Sequence, residues 1–315
     1  MQTFSWQQLS DKDKKNIGQN KPILILGPRQ ISDQRILELT KKIAEKKPVI
    51  WGCLNDKFIP GLENSPQFQT LSLAKLKQAL KKLDKKFKVR VSILQYDYRY
   101  TKYLIRELDL SAVVGLYGSW YKAFHFTPIF YELIKKKLNY KLMSNFVDED
   151  EARSYELQIK KQFPKLSSLI KDKMSDEQLL NLADEVSRRS FDYTFQTGAV
   201  LARNQQVLLT AHNRILPYET YALQHGAAKE KHFSPPQDLN HFDTNHAEVE
   251  LVLKALAQKL DLSSSNLYIN LLPCPTCAKM LAATPIEKIF YRHDHSQGYA
   301  HHLLTQMNKK LIRVT

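Results

Sequence analysis

The last third of the chain carries three side chains of metal-binding type and a fourth suited to moving protons. His246 and Glu248 lie in Asn245-His246-Ala247-Glu248. Cys274 and Cys277 lie in Pro273-Cys274-Pro275-Thr276-Cys277, with 24 residues between Glu248 and Pro273. One imidazole and two thiolates fill three corners of a tetrahedral zinc and leave the fourth for water, which is the catalytic arrangement; structural zinc closes with four protein ligands. The two cysteines are expected at the start of a helix, where free amides and the helix dipole stabilise thiolates. His246 opens another predicted helix. Glu248 is two residues further on, too close in sequence to be an obvious fourth ligand but well placed to shuttle a water proton. The competing readings are a structural zinc site and a redox Cys-x-x-Cys. His225, His232, His241, His293 or His295 could supply a fourth ligand. A redox pair would need neither His246 nor Glu248 ahead of it.

A frame must bring these residues together. In the second half, Ser175 caps a predicted helix to about Ser190. Strands are expected at Thr197–Arg203, Val207–Asn213, Asn266–Leu272, Lys288–Arg292 and Lys310–Val314. Helices are expected at His246–Leu260, Pro275–Ala283 and Gly298–Asn308. The order is α-β-β-α-β-α-β-α-β, which predicts a five-stranded mixed sheet between helix layers. The long polar segment Arg214–Asn245 exceeds a simple connection; with Tyr218, Tyr221 and Lys229 it is expected to act as a lid over a nucleotide.

The first half alternates apolar runs with amphipathic stretches. Strands are predicted at Pro22–Gly27, Pro48–Cys53, Lys88–Tyr96, Ala112–Tyr117 and Tyr140–Phe146, and helices at Asp33–Glu45, Leu73–Leu83, Thr101–Leu108 and Thr127–Lys137. Alternation of this kind indicates βαβ units and a parallel sheet. The expected organisation is an N-terminal doubly wound, Rossmann-like α/β domain over residues 1–170, ending in a linker helix from Asp148 to Phe163. A second domain covers residues 171–315. The loop Gly27-Pro28-Arg29-Gln30, followed by Ser32-Asp33, could seat a phosphate, but there is neither a Gly-x-Gly-x-x-Gly nor a Gly-Lys-Ser/Thr motif. Tyr96, Tyr98, Arg99, Tyr100, Lys102, Tyr103 and Arg106 could stack bases or simply form a strand end and an amphipathic helix.

From about Ser175 to Thr315 the sequence resembles the zinc-dependent cytidine/deoxycytidylate deaminase superfamily, whose signature is His-x-Glu followed by Pro-Cys-x-x-Cys. The resemblance extends to Thr197-Gly198-Ala199-Val200, to Asn213, and to Ile286-Glu287-Lys288-Ile289-Phe290-Tyr291. The Cys277-Ala278-Lys279 continuation looks most like deoxycytidylate deaminases, although Val249-Glu250-Leu251 replaces their usual Asn-Ala-Ile. The resemblance implies a cytidine-deaminase-like α/β/α domain in which His246, Cys274 and Cys277 hold Zn2+ and Glu248 is the general acid and base. It also implies that Asn213 binds the sugar or base edge, that the Ala199 backbone contacts the pyrimidine, and that Arg214 reaches a phosphate. The implied reaction is hydrolytic deamination of a cytosine nucleotide, dCMP to dUMP, in a homo-oligomer. Alternatives are a deaminase acting on DNA or RNA and a non-catalytic, zinc-stabilised nucleotide-binding protein.

Composition narrows the setting. With 43% hydrophobic and 25% charged residues the chain is of globular type. No run approaches the ~20 apolar residues of a membrane span, and the start shows no signal segment. Three cysteines do not make a disulfide scaffold, and a reducing cytoplasm is expected. The net charge is +15. Residues 1–180 hold 33 Lys+Arg against 20 Asp+Glu, and residues 181–315 hold 14 against 12. A basic first half admits nucleic acid as a partner. A small-molecule nucleotide remains the expected substrate, with no membrane partner.

Overall fold

A computed structural model describes residues 1–235, 238, 241–295 and 298–314. The described chain packs into two compact units, Met1–Leu157 with Thr220–Asp243, and Gln158–Glu219 with Thr244–Thr315.

The first unit begins with β1 (Gln2–Ser5), α1 (Asp11–Gly18), β2 (Ile23–Leu26), α2 (Asp33–Ala44) and β3 (Val49–Leu54). It continues with α3 (Leu73–Leu80), α4 (Lys85–Lys88), β4 (Val91–Tyr96), α5 (Thr101–Glu107) and β5 (Ala112–Leu116). The last elements are α6 (Pro128–Lys135), β6 (Asn139–Met143) and α7 (Glu149–Lys160), the helix that runs on into the second unit. Six strands form one sheet in the order β1-β4-β3-β2-β5-β6, every pair parallel. Strand alternation divides the apolar side chains between two faces. Val49, Trp51 and Cys53 of β3 pack with Ile36 and Leu39 of α2 and Leu76 of α3. Ile50 and Leu54 face the other way, with Leu104 of α5 and Leu133 of α6. This is the doubly wound domain expected from the sequence. β1 was not anticipated: it is an edge strand of four residues with little apolar content.

The chain order reverses between β2 and β5, the place where open α/β sheets bind ligands. There the Arg29 side chain is buried, its Nε donating to the Gly118 carbonyl at 2.6 Å and an Nη to the Gln67 carbonyl at 2.6 Å. The one cation of the Gly27–Gln30 loop therefore braces neighbouring loops. Tyr96, the last residue of β4, is buried, and Tyr98, Tyr100 and Tyr103 beyond it pack against the apolar cluster beneath α5.

The second unit contains α8 (Asp176–Ser187), β7 (Gly198–Arg203), β8 (Gln206–His212) and β9 (Arg214–Ile215). The excursion that follows carries α9 (Tyr221–His225) and α10 (Ala228–Lys231). The second unit resumes with β10 (Thr244–Asn245), α11 (Ala247–Ala257), β11 (Asn266–Leu271), α12 (Pro275–Ala282), β12 (Lys288–His293), α13 (Tyr299–Gln306) and β13 (Lys310–Arg313). Its sheet runs β13-β12-β11-β7-β8. β12 is parallel to both β11 and β13, while β7 is antiparallel to β11 and β8. This is the expected five-stranded mixed sheet. Ala199 and Leu201 of β7 face α11, α12 and α13, while Val200 and Ala202 face α8. Gly198 permits the close approach of α8: a Cβ there would lie 2.1 Å from the Ala183 carbonyl oxygen.

Most of the segment read as a lid is built into the first unit. Thr220–Asp243 packs within the first unit. The Asn145 backbone N–H and side-chain amide both donate to the Leu223 carbonyl at 3.1 Å. The Phe124 N–H donates to Glu230 Oε1 at 3.0 Å, and the Thr220 hydroxyl to the Ala152 carbonyl at 2.9 Å. At the base of the excursion, β9 and β10 pair antiparallel, Ile215 opposite Thr244 and Arg214 opposite Asn245. Gln237, in the same segment, lies outside the described residues, as do Pro236, Leu239 and Asn240. Among the described residues, no helix is long and apolar enough to cross a membrane.

Candidate metal centre

Two helix starts build the site. His246 is the N-cap of α11, and Cys274 is the N-cap of α12, with Pro275 in the first turn. Proline is at home there, because it lacks an N–H where the helix has no use for one. The Cys274 sulfur takes the capping role usually played by Ser or Asp: the Cys277 N–H points at it from 3.5 Å. One helical turn carries Cys277 to the same side.

His246 Nδ1 lies 3.5 Å from Cys274 Sγ and 3.4 Å from Cys277 Sγ. The three donor atoms all fall within 4.8 Å of one another. A tetrahedral zinc, with bonds of ~2.3 Å to sulfur and ~2.05 Å to nitrogen, sets each N···S edge at about 3.6 Å. The donor set therefore fits zinc in kind and in spacing. Among the described residues it is the one group of three or more His, Cys, Asp or Glu side chains that could hold a metal. His225, His232, His241, His293 and His295, the possible fourth ligands, are not part of it.

Electrostatics support thiolate chemistry. The hydrogen bond from the Cys277 thiol, assisted by His246, brings the Cys274 thiol down to about 4, while Cys277, as the proton donor of the pair, is pushed up. Burial alone would lower the His246 imidazole, but the hydrogen bond with Cys274 and the Glu248 charge raise it above its ordinary range. Glu248, in the first turn of α11, is 3% exposed. Burial pushes its carboxyl up to about 7, against the opposing pull of His246. A carboxyl so placed can hold or release a proton near neutral pH.

Asn213 stands directly after β8 and is 3% exposed. Its Oδ1 accepts the Ala247 N–H at 2.9 Å and its Nδ2 donates to the Phe195 carbonyl at 3.0 Å. It thus ties the start of α11 to the loop before β7. Ala199 lies inside β7 with Ala211 and Ile269 opposite it on the two flanking strands. Arg214 is half exposed, with Nε 3.3 Å from Glu250 Oε1.

Two bracing residues were missed from the sequence. Asp192 Oδ1 accepts the Thr194 and Phe195 N–H groups, and its Oδ2 accepts the Thr244 hydroxyl at 3.1 Å. Asn270 accepts the Gly198 N–H at 2.9 Å and donates to the Gln196 carbonyl at 3.0 Å. A polar residue interrupting the apolar strand Asn266–Leu271 was the available signal for Asn270; Asp192 left none.

Three metal-type donors meet at two helix starts, with a buried carboxyl in the first turn of one of them, the arrangement that hydrolytic deaminases use. Residues 173–293 match the family described as the cytidine and deoxycytidylate deaminase zinc-binding region. This part of the chain therefore carries a cytidine/deoxycytidylate-type deaminase domain, with zinc as its cofactor. It is 28% identical over 114 residues to an uncharacterized deaminase in the luxG 3′ region of Aliivibrio fischeri, a match covering 36% of this chain and 69% of that one. It is 24% identical over 156 residues to the deoxycytidylate deaminase of Enterobacteria phage T4, covering 40% and 81%. The dCMP deaminase of cyanophage S-TIM5, solved in complex with dCMP and dUMP, is similar at 19% identity and a TM-score of 0.35, covering 44% of this chain and 95% of that one.

Proposed function

We propose that this protein hydrolyses the exocyclic amine of a cytosine nucleotide, with dCMP as substrate and dUMP and ammonia as products. The observation that carries the proposal is the buried carboxyl of Glu248 beside the convergent donors His246, Cys274 and Cys277. A zinc site serving structure alone would not need that carboxyl, which counts against a non-catalytic role. The phage deoxycytidylate deaminases and the Cys-Ala-Lys continuation favour the mononucleotide.

His246, Cys274 and Cys277 are assigned as the zinc ligands. Zinc, when bound, supplies the Lewis acidity that makes water nucleophilic near neutral pH. Glu248 takes the proton from the attacking water and delivers it to the ring nitrogen. It then takes the second proton from the newly added hydroxyl and passes it to the departing amine, so that the C–N bond breaks as the carbonyl forms and ammonia leaves. Asn213 is assigned to the sugar or base edge, the Ala199 backbone to the pyrimidine, and Arg214, half exposed and held by Glu250, to the phosphate.

The test is a mass-spectrometric screen of the zinc-loaded protein. Cytosine and adenine nucleosides, their phosphates, and single-stranded DNA and RNA are compared at low and high salt. Turnover of dCMP with weak salt dependence is expected. The basic residues 1–180 support the competing polymer reading, and polymer affinity falls steeply with salt because counterions are released. Salt-sensitive deamination of the oligonucleotide without turnover of dCMP would overturn the proposal.

We also propose that residues 171–315 form the deaminase domain proper, with residues 1–170 a separate α/β domain. Because Thr220–Asp243 packs within the first unit, the fragment should be made with that segment replaced by a short Gly-Ser link between β9 and β10. It should fold cooperatively and load zinc. A fragment that stays unfolded with zinc present would show that the halves share a core.

A further inference from the structure

The two helix layers of the first unit differ in how they carry charge. α2, α3 and α4 bury their apolar sides in one cluster on one face of the sheet, through Ile43, Leu80 and Phe87. Residues 33–47, with α2, hold five Lys+Arg against three Asp+Glu, and residues 72–90, with α3 and α4, hold eight against one. This layer is therefore at +9, in a chain of +15. α1, α5 and α6 cover the other face, through Ile17, Leu104 and Leu133. There the cations are used internally. Lys14 pairs with Glu107 at 2.7 Å and Arg106 with Glu132, while Lys136 Nζ donates to the Ile105 and Leu108 carbonyls at 2.9 Å.

Lysine on a helix face serves solubility in many proteins, so the count alone says nothing. The packing of this layer adds a direction. Lys82 Nζ meets Asp33 Oδ2 at 2.7 Å, joining the end of α3 to the start of α2. An Nη of Arg90, two residues past α4, donates to the Ala44 and Glu45 carbonyls at 3.1 and 3.3 Å, at the far end of α2. The chain from Lys82 to Arg90 thus runs alongside α2 from its start to its end, with α4 packed against it. Lys81, Lys85 and Lys86, with Lys46 and Lys47 just past α2, form a belt along that line. All five are exposed. Among the described residues none of them forms an ion pair, and two of the layer's acids are already taken, Asp33 by Lys82 and Glu38 by Arg35.

We infer that this belt docks the phosphate backbone of a nucleic-acid duplex. α2 has 12 residues and spans ~18 Å at ~1.5 Å per residue. A duplex carries about ten phosphate charges over that length, and about half of them face the protein. Lysine suits such a partner, because a point charge on a flexible stem needs no fixed geometry. Phe87, the layer's one aromatic residue, is buried, so unpaired bases find no ring to stack on. A duplex, with its denser charge, is favoured over a single strand. Lysine is depleted at protein–protein interfaces, which counts against an acidic protein. The helices bury their apolar faces in the sheet, and Val89 is the one large apolar side chain that the layer leaves exposed. A membrane surface would therefore gain little beyond charge. Docking of this kind positions the protein without reading sequence, and it is independent of the deaminase reading above.

The experiment uses the full chain and a fluorescent DNA duplex of mixed sequence, titrated by anisotropy across a salt series. With about five phosphates neutralised, log Kobs should fall with log salt at a slope of about −4.5, or about 500-fold between ~50 and ~200 mM. The triple variant Lys81→Gln, Lys85→Gln, Lys86→Gln should bring the slope to about −2, with melting and dCMP turnover unchanged. The control variant Lys12→Gln, Lys15→Gln, Lys135→Gln takes as many charges from the opposite layer and should bind like the parent. A single strand of the same length and vesicles rich in phosphatidylserine should both bind more weakly than the duplex. No duplex binding at low salt would overturn the inference. So would equal losses in the two triple variants, which would mean attraction by overall charge, or tighter binding of the strand or the vesicles. If the parent chain did not turn over dCMP, the functional proposal would fail by itself, and the titrations would still decide on the docking surface.

Discussion

Glu248→Ala should load zinc like the parent chain and lose about 10²–10⁴-fold in turnover, the contribution typical of one positioned acid or base. That range corresponds to roughly 3–5 kcal/mol of barrier. The upper end is expected, because in the proposed mechanism one carboxyl serves every proton transfer. The described metal group itself contains no carboxylate that could take over. Removing a buried side chain also leaves a cavity, so Glu248→Gln is the companion variant: it keeps the volume and removes only the ability to cycle a proton. Both should melt within a few degrees of the parent and hold the same zinc. Turnover above about a tenth of the parent's in Glu248→Gln, far short of the expected loss, would sink the mechanism. Loss of zinc in both would instead make Glu248 a ligand.

The sequence carried the metal centre further than it carried the site around it. His246, Cys274 and Cys277 were readable because metal coordination dictates residue type and because two of them lie one helical turn apart. Both helix starts followed from local chemistry: a proline after Cys274, and the onset of apolar periodicity after His246. The doubly wound sheet followed from the same local patterns, since fully buried parallel strands such as Val49–Leu54 read as continuous apolar runs. β1 escaped because an edge strand needs only one good face, and Phe4 is its main apolar anchor.

The long-range features were not readable. Arg214–Asn245 was long enough to be a lid, but its destination depends on what covers Leu223 and Glu230. Those partners, Asn145 and Phe124, lie 78 and 106 residues away in the chain. Asp192 and Asn213 likewise show their bracing role only once β7, β8 and α11 converge. Asn213 was expected to face a ligand, and its amide is found bridging Ala247 and Phe195. A side chain can hold a site together and still touch what enters it.

Cys274→Ser should lose its zinc and, with it, all measurable deamination. Of the three ligand variants this one isolates the metal most cleanly. Cys274 is the N-cap of α12, and serine is among the best N-cap residues, so the helix start survives while the thiolate is lost. Cys277→Ser and His246→Ala should lose zinc too. Each carries an added structural cost: Cys277 is 1% exposed, so its hydroxyl would need a buried partner, and His246 is the N-cap of α11. His295→Ala is the control, because that imidazole lies outside the donor group and its loss should leave about one zinc per chain. The loaded parent should also melt higher than its chelated form, since a ligand bound only by the folded state at about a thousand times its Kd adds ~4 kcal/mol. Cys274→Ser should melt like the chelated parent whether or not zinc is supplied. Full zinc occupancy in Cys274→Ser and Cys277→Ser alike would refute the ligand assignment. Retention by those variants with loss in His295→Ala would move the metal to a different set of donors.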